Sequence, residues 1–133
     1  MIKVTTSYKE DMLFESKAGN HRLQTDAPAL LGGKNRAPQP YNLFMAAVGS
    51  SIGQAVVDHC RRYGFDMRDM SVDVEMDEVE NPSRIANLRV TIHIPHSDCR
   101  GQEKAILRLA EHCPIYETMI RLNGIQQLHF TML

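Results

Sequence analysis

The chain has 133 residues, 43% hydrophobic and 23% charged, which is typical of a single globular domain over residues 1–133 and argues against intrinsic disorder. The formal net charge is −1 and the basic residues form no stripe, with Lys34 and Arg36 isolated, so neither nucleic acid nor an anionic membrane is expected as a partner. The N-terminus lacks an apolar signal region and no apolar run is long enough to span a membrane, so we expect a cytoplasmic protein.

The N-terminal part predicts a β-meander of three short strands. MLFESKA predicts the second strand, and residues 21–25 predict the third, after a Gly19-Asn20 turn signal. The segment from Asp26 to Pro40 holds three of the six prolines and a Gly-Gly pair, which predicts a long loop. The first strand is predicted from apolar or β-branched residues that alternate with polar ones: Ile2, Val4, Thr6 and Tyr8.

The longest helix is predicted from Tyr41 to Tyr63, with Gly64 as its C-terminal stop. Its first half is apolar or small on every face, so we expect it to be buried on all sides. Gly49 and Gly53 each cost ~1 kcal/mol of helix stability relative to Ala, which packing must offset. The small residues in this segment would let another helix come close.

The second half of the chain predicts a hairpin, two helices and a last strand. Alternation over residues 70–77 and 87–94 predicts an antiparallel pair with one solvated face, on which acidic residues oppose basic ones. Helices are predicted from about Arg100 to His112 and from Pro114 to about Leu122, and alternation over residues 128–132 predicts a strand. The order βββ–α–ββ–αα–β predicts an α+β fold with antiparallel sheets.

Cys113, followed by Pro114, is the strongest local signal for reactivity. Proline is favoured at the first position of a helix, so Cys113 falls at the N-cap. Unpaired backbone N–H groups and the helix dipole would favour the thiolate there, which makes Cys113 a candidate nucleophile or redox residue. The alternative is a small buried hydrophobic residue, the usual state of a free cysteine.

Other candidate sites are weaker. Residues 49–53, GSSIG, match the G-x-S-x-G pattern, but a nucleophile elbow needs a strand that ends at the serine, so a serine hydrolase is the remote alternative to close packing of small residues. His93 and His96 would point to opposite faces of a strand, so no metal site is expected, and no cofactor motif is present. Cys60 and Cys99 have no partner at a readable spacing, and a structural role is expected for both.

Two motifs together resemble the osmotically inducible protein C (OsmC) and organic hydroperoxide resistance (Ohr) family, over about Phe14 to Leu133. They are the loop and helix start D-A-P…G-G…A-P-Q-P-Y-N-L-F-M-A-A-V-G-S-S and the helix break A-E-H-C-P-I. The resemblance implies an intertwined homodimer with packed central helices. It also implies reduction of organic hydroperoxides by two cysteines, one that attacks the peroxide and one that resolves the sulfenic acid as a disulfide.

The chain departs from the family at the residues that carry this reaction. Cys113 matches the resolving position, but the peroxidatic position on the central helix falls on Ser51, and a serine cannot be oxidised to a sulfenic acid. The family's Glu falls on Asn42, and its Arg cannot be placed. An engineered Cys→Ser change at position 51 would not account for Asn42.

The resemblance and its departures lead to two hypotheses. The first is a homodimer that has lost the two-cysteine cycle but keeps an interfacial pocket for a small apolar, thiol or peroxide ligand. The second is a one-cysteine redox protein that uses Cys113. Neither hypothesis requires a cofactor.

Overall fold

The structure is a computed structural model that describes residues 1–122, so the strand predicted over residues 128–132 lies outside the described part. It divides into two compact units, Met1–Ala46 and Ala47–Leu133. The single domain expected from chain length stays a prediction. No helix within residues 1–122 has both the length and the apolar content that a membrane span requires.

The first unit opens with the β-meander that the sequence predicts. Strands β1 (Thr5–Glu10), β2 (Leu13–Ala18) and β3 (His21–Thr25) form an antiparallel sheet in the order β1-β2-β3. Gly19, with φ of 59°, supplies the left-handed turn between β2 and β3. The alternating sequence pattern starts at Ile2, but pairing of β1 with β2 begins three residues later, at Thr5.

The segment after β3 is a loop closed on itself by backbone hydrogen bonds. The Asp26 N–H donates to the Pro38 carbonyl at 3.1 Å, and the Gly33 N–H donates to the Pro28 carbonyl at 3.1 Å. The loop contains one 3₁₀ turn, Ala29–Leu31. A Cβ atom at Gly33 would lie 1.9 Å from the Ala27 carbonyl oxygen, so only glycine fits there.

Helix α1 (Pro40–Arg62) matches the predicted helix to within one residue at each end. Proline at its first position needs no intrahelical hydrogen-bond partner. At the other end Phe65 N–H donates to the Cys60 carbonyl and Gly64 N–H to the Arg61 carbonyl, both at 3.2 Å. Gly64 has φ of 68°, so α1 ends in a Schellman motif as the sequence predicts.

In the single chain α1 is buried along one stripe only, in contrast to the expected burial on all sides. The buried residues recur every fourth position: Val48, Ile52, Val56 and Cys60. Phe44, near the start of the helix, is 43% exposed. Neighbours four apart lie on the same face of a helix, so the stripe is the face that packs in this chain.

The second unit contains the predicted antiparallel hairpin, β4 (Ser71–Val79) and β5 (Arg84–His93). On its solvated face Arg89 pairs with Asp77 at 2.9 Å and His93 Nε2 lies 2.9 Å from Asp73 Oδ2, which confirms the predicted charge pairing.

Two glycines of α1 face a strand of the hairpin. A Cβ atom at Gly49 would lie 3.2 Å from Val74 Cγ2, and one at Gly53 would lie 3.7 Å from Val72 Cγ2. Both valines belong to β4 and pack against the core. These two glycines face β4 within this chain, and the close approach of a second helix to α1 stays a prediction.

Helices α2 (Glu103–Glu111) and α3 (Pro114–Arg121) follow the hairpin. α2 begins three residues later than predicted because Cys99 and Gly101 have φ of 50° and 67°, outside the helical region. The elements make an α+β fold, as expected. The core cluster, which lies in the second unit, consists of Val48, Ile52, Val56, Cys60, Cys99, Ile106 and Cys113.

Candidate functional site

Cys113 lies at the N-cap of α3, as the sequence predicts, with φ of −67° and ψ of 151°. Its side chain makes no capping hydrogen bond, and the residue is only 2% exposed. The thiol belongs to the apolar core cluster. The N-cap position is confirmed, and the packing is that of a small buried hydrophobic residue.

A polar network lies next to Cys113 at the start of α3. His112 Nδ1 is 2.7 Å from Glu117 Oε1, and Arg121 Nε donates to Glu117 Oε2 at 2.8 Å. These hydrogen bonds, from His112 first and then from Arg121, lower the pKa of Glu117. The network holds a carboxylate at the helix break, close in sequence to the buried thiol.

Ser51 lies at the edge of the buried stripe of α1 and is half-buried. Val48, three residues before it, is in the core cluster, and Ala55, four residues after it, packs against that cluster. The chain is helical from Pro40 to Arg62, so the strand-to-helix turn of a nucleophile elbow does not occur around Ser51. The remote hydrolase alternative loses its structural basis.

Asn42 is exposed and completes the N-terminus of α1. Its Oδ1 accepts a hydrogen bond from the Gln39 N–H at 3.1 Å, which is the contact that the third helical residue makes in a capping box. The observed partner of Asn42 is therefore a backbone group. A neutral amide oxygen is sufficient for this contact.

An apolar cavity of about 240 Å³ lies in the second unit, beside the break between α2 and α3. Its walls come from α1, strand β5 and helices α2 and α3: Ile52, Leu88, Val90, Ile92, Leu107, Ala110, Glu111 and Tyr116. Ile52 follows Ser51 directly, and Glu111 and Tyr116 lie on either side of Cys113 in sequence. A small apolar molecule suits a cavity of this size and lining.

The first unit holds an ion pair that the sequence did not reveal, between Arg36 and Asp26. Arg36 Nε donates to Asp26 Oδ2 at 2.8 Å, and the Ala27 and Arg36 N–H groups donate to the same carboxylate. Arg36 also reaches Glu10 at 3.2 Å and Asp11 at 3.4 Å. The Arg36 hydrogen bond holds the pKa of the buried Asp26 carboxyl well below its usual range.

Cys60 and Cys99, for which the spacing indicated no partner, both belong to the core cluster. Burial first, and then the neighbouring Cys99, raise the pKa of the Cys60 thiol. The two residues lie far apart along the chain, so only the docking of the loop before α2 on α1 brings them together.

The possible metal ligands in residues 1–122 are the side chains of His, Cys, Asp and Glu. Within residues 1–122, no group of three or more His, Cys, Asp or Glu side chains could hold a metal ion. His96 Nε2 lies 2.8 Å from Asp69 Oδ2, and His93 pairs with a different aspartate, Asp73.

Residues 33–126 match the family model described as OsmC-like protein. The chain belongs to the OsmC-like family. The match includes α1 with Asn42 and Ser51 and the helix break with Cys113. No curated protein sequence matches this OsmC-like chain.

Solved structures at 18–21% identity share the fold of this chain. A protein of Psychrobacter arcticus 273-4, described as an osmotic stress induced and detoxification response protein, has a TM-score of 0.79 at 20% identity, over 89% of this chain and 88% of that one. An organic hydroperoxide resistance protein of Legionella pneumophila has a TM-score of 0.63 at 21% identity, over 93% and 90%. An organic hydroperoxide resistance protein of Vibrio cholerae O1, with captopril bound in one of its active sites, has a TM-score of 0.64 at 18% identity. The match covers 92% of this chain and 85% of that one.

Proposed function

We propose that this OsmC-like protein binds a small apolar molecule in the cavity beside the α2–α3 break and does not run a two-cysteine peroxide cycle through positions 51 and 113. The observation that carries the proposal is the serine at position 51, where the family resemblance implies that the reaction needs an oxidisable sulfur. The apolar walls of the cavity support the ligand class.

Two further contacts support the loss of the cycle. Asn42 caps α1 through the Gln39 N–H, and it brings no negative charge to hold an arginine. Arg36 has its own carboxylate partners in Asp26, Glu10 and Asp11, so its charge is satisfied within the first unit. A peroxidase centre would need a charged pair beside an exposed thiolate, and the Cys113 side chain is enclosed.

The proposal includes a homodimer with the cavity at its interface. The first half of α1 is apolar or small on every face, but α1 buries only one stripe in the single chain, and exposed apolar side chains such as Phe44 favour a second copy as the cover. Light scattering tests this step. A monomer at micromolar concentration would contradict it.

Ligand binding is tested with 2-phenyl-2-propanol, the alcohol formed from cumene hydroperoxide, by saturation-transfer NMR. Ala110→Phe would fill the cavity, so we expect it to abolish the transfer signal of the wild type. Arg108→Phe adds the same ring on the exposed side of α2 and is the matched control that keeps the signal. Equal signals from wild type and Ala110→Phe would contradict binding in the cavity.

The names of the relatives favour peroxide-type or thiol ligands as the class to test next. Two of them are organic hydroperoxide resistance proteins, and one of these binds captopril, a thiol, in an active site. Hydroperoxides and thiols of this size combine an apolar body with one polar group, which suits a cavity whose ionisable lining residues are Glu111 and Tyr116.

The N-cap position of Cys113 favours one second candidate, a one-cysteine redox protein. In that case Cys113 would be oxidised by the peroxide, and an external thiol would resolve it. Dimedone, which labels sulfenic acids, separates the two functions after addition of cumene hydroperoxide. We expect no dimedone adduct on Cys113, and stoichiometric labelling there would favour the second candidate.

Ser51→Cys tests whether positions 51 and 113 keep the family arrangement. We expect the new thiol to form a disulfide with Cys113 after peroxide treatment, detected as a linked peptide by mass spectrometry. The wild type, with serine at this position, is the control. A Ser51→Cys variant that never forms this link would contradict the carry-over of the family's site.

A further inference from the structure

The cavity beside the α2–α3 break combines an apolar body with two polar groups. The polar groups are Glu111, the last residue of α2, and Tyr116, in the first turn of α3. They therefore come from the two helix ends that flank the break. The other described lining residues are apolar: Ile52, Leu88, Val90, Ile92, Leu107 and Ala110.

Both polar groups are available to a bound molecule. Within residues 1–122 the Glu111 carboxylate has no hydrogen-bond or ion-pair partner, and the Tyr116 hydroxyl has no hydrogen-bond partner. Glu111 is exposed, so its carboxylate lies where the cavity meets solvent, whereas Tyr116 is half-buried and packs against the core cluster. A carboxylate and a phenol oxygen can both accept hydrogen bonds from the same ligand head group.

The basic side chains around the break leave the charge of Glu111 uncompensated. His112 Nδ1 lies 2.7 Å from Glu117 Oε1, and Arg121 Nε donates to Glu117 Oε2 at 2.8 Å, so both bind a different carboxylate. Arg108, three residues before Glu111, forms no ion pair with it and does not line the cavity. The last carbonyls of α2 add partial negative charge at the same end of the helix, which favours a cation there.

We propose that this cavity selects a small primary amine, with an apolar body and an ammonium head group, over neutral molecules of the same shape. The proposal rests on the binding function proposed above and adds the charge of the ligand to it. The apolar body lies against β5 and the two helices, and the ammonium donates to the Glu111 carboxylate and the Tyr116 hydroxyl. A hydroperoxide, an alcohol or a thiol has a neutral head group and gains less from a carboxylate.

The size of the cavity limits the apolar body of the amine. Its volume of about 240 Å³ is below the range of about 300–1,000 Å³ that is typical of sites for drug-sized ligands. A single aromatic ring or a short branched chain is therefore the expected body.

The test compares two probes of one shape, 2-phenyl-2-propylamine, which is an ammonium ion at neutral pH, and 2-phenyl-2-propanol. Titrations followed by saturation-transfer NMR give the Kd of each. In the wild type we expect the Kd of the amine to be about fivefold lower than that of the alcohol, near the upper limit for a solvent-exposed ion pair.

Two variants assign this preference to Glu111. Glu111→Gln keeps the shape of the side chain and removes its charge, so the ratio of the two Kd values should fall to about one. Glu103→Gln removes the same charge in the first turn of α2, outside the cavity, and is the matched control that should keep the wild-type ratio.

Three results would overturn the proposal. They are equal Kd values of amine and alcohol in the wild type, an unchanged ratio in Glu111→Gln, and an amine signal that survives Ala110→Phe, which would place the amine outside the cavity. The wild-type ratio remains decisive even if Glu111→Gln fails to fold. If neither probe binds the wild type, the proposed binding function fails together with this inference, whereas equal binding of both probes rejects the inference alone.

Discussion

The two units of the chain are stabilised by different interactions. Among the described residues of the first unit, only Leu13 and Asp26 are buried. The ion pair between Asp26 and Arg36 fixes the long loop of this unit. The second unit buries a stripe of α1 against a hairpin and two helices, in a cluster without charged groups. The first unit should therefore respond to charge and loop geometry, and the second to lost apolar volume.

The largest expected effect is on the core of the second unit. Ile52 is 1% exposed, so Ile52→Ala should lower the free energy of unfolding by ~2–5 kcal/mol in urea denaturation. Leu107→Ala, at a residue 58% exposed, is the control and should change it by less than ~0.5 kcal/mol. Equal losses for the two substitutions would contradict the claim that the buried stripe of α1 stabilises the second unit more than exposed side chains do.

The next effect lies in the loop of the first unit. Gly33→Ala would place Cβ against the Ala27 carbonyl oxygen, and neither backbone group can move without opening the loop. We expect a loss of ~1–3 kcal/mol in the same assay and faster proteolysis at residues 26–38. An unchanged proteolysis pattern would show that the loop is not closed as described.

The third effect is the pH dependence of stability that the Asp26–Arg36 ion pair causes. The depressed pKa of Asp26 stabilises the fold at pH values above about 4, where the unfolded carboxyl is ionised, and this contribution is lost as the pH falls below that value. Thermal unfolding from pH 7 to 3 should therefore depend more steeply on pH in the wild type than in Asp26→Asn. The same pH dependence of the unfolding temperature in both proteins would contradict a stabilising Asp26–Arg36 ion pair.

The smallest effect distinguishes two glycines on one helix. Gly53→Ala should stabilise the protein by up to ~1 kcal/mol, since its Cβ has ordinary contact with Val72. At Gly49 the 3.2 Å approach to Val74 should cancel most of that gain. A larger gain at position 49 than at position 53 would mean that α1 packs differently on β4.

Local patterns predicted most of the fold from the sequence. Alternation located the hairpin, Pro114 fixed the start of α3, and Gly64 fixed the end of α1, because each depends on backbone preferences that act over a few residues. Burial of α1 could not be read this way. The first half of α1 is apolar or small on every face, but what covers each face depends on distant parts of the chain.

The candidate site was predicted in part. The N-cap position of Cys113 followed from the proline after it, whereas its enclosure in the core did not. The Asp26–Arg36 ion pair joins residues that share no periodic pattern, so it emerges only when the loop closes. Ser51 and Asn42 had meaning only through resemblance to a family.

Hydroperoxide consumption by the wild type and by Cys113→Ala, with dithiothreitol as reductant, tests the central claim most directly. If the family's cycle does not run through positions 51 and 113, any cumene hydroperoxide turnover should be the same in both proteins. A loss of tenfold or more in Cys113→Ala would contradict the account, because it would place Cys113 in a working peroxidase.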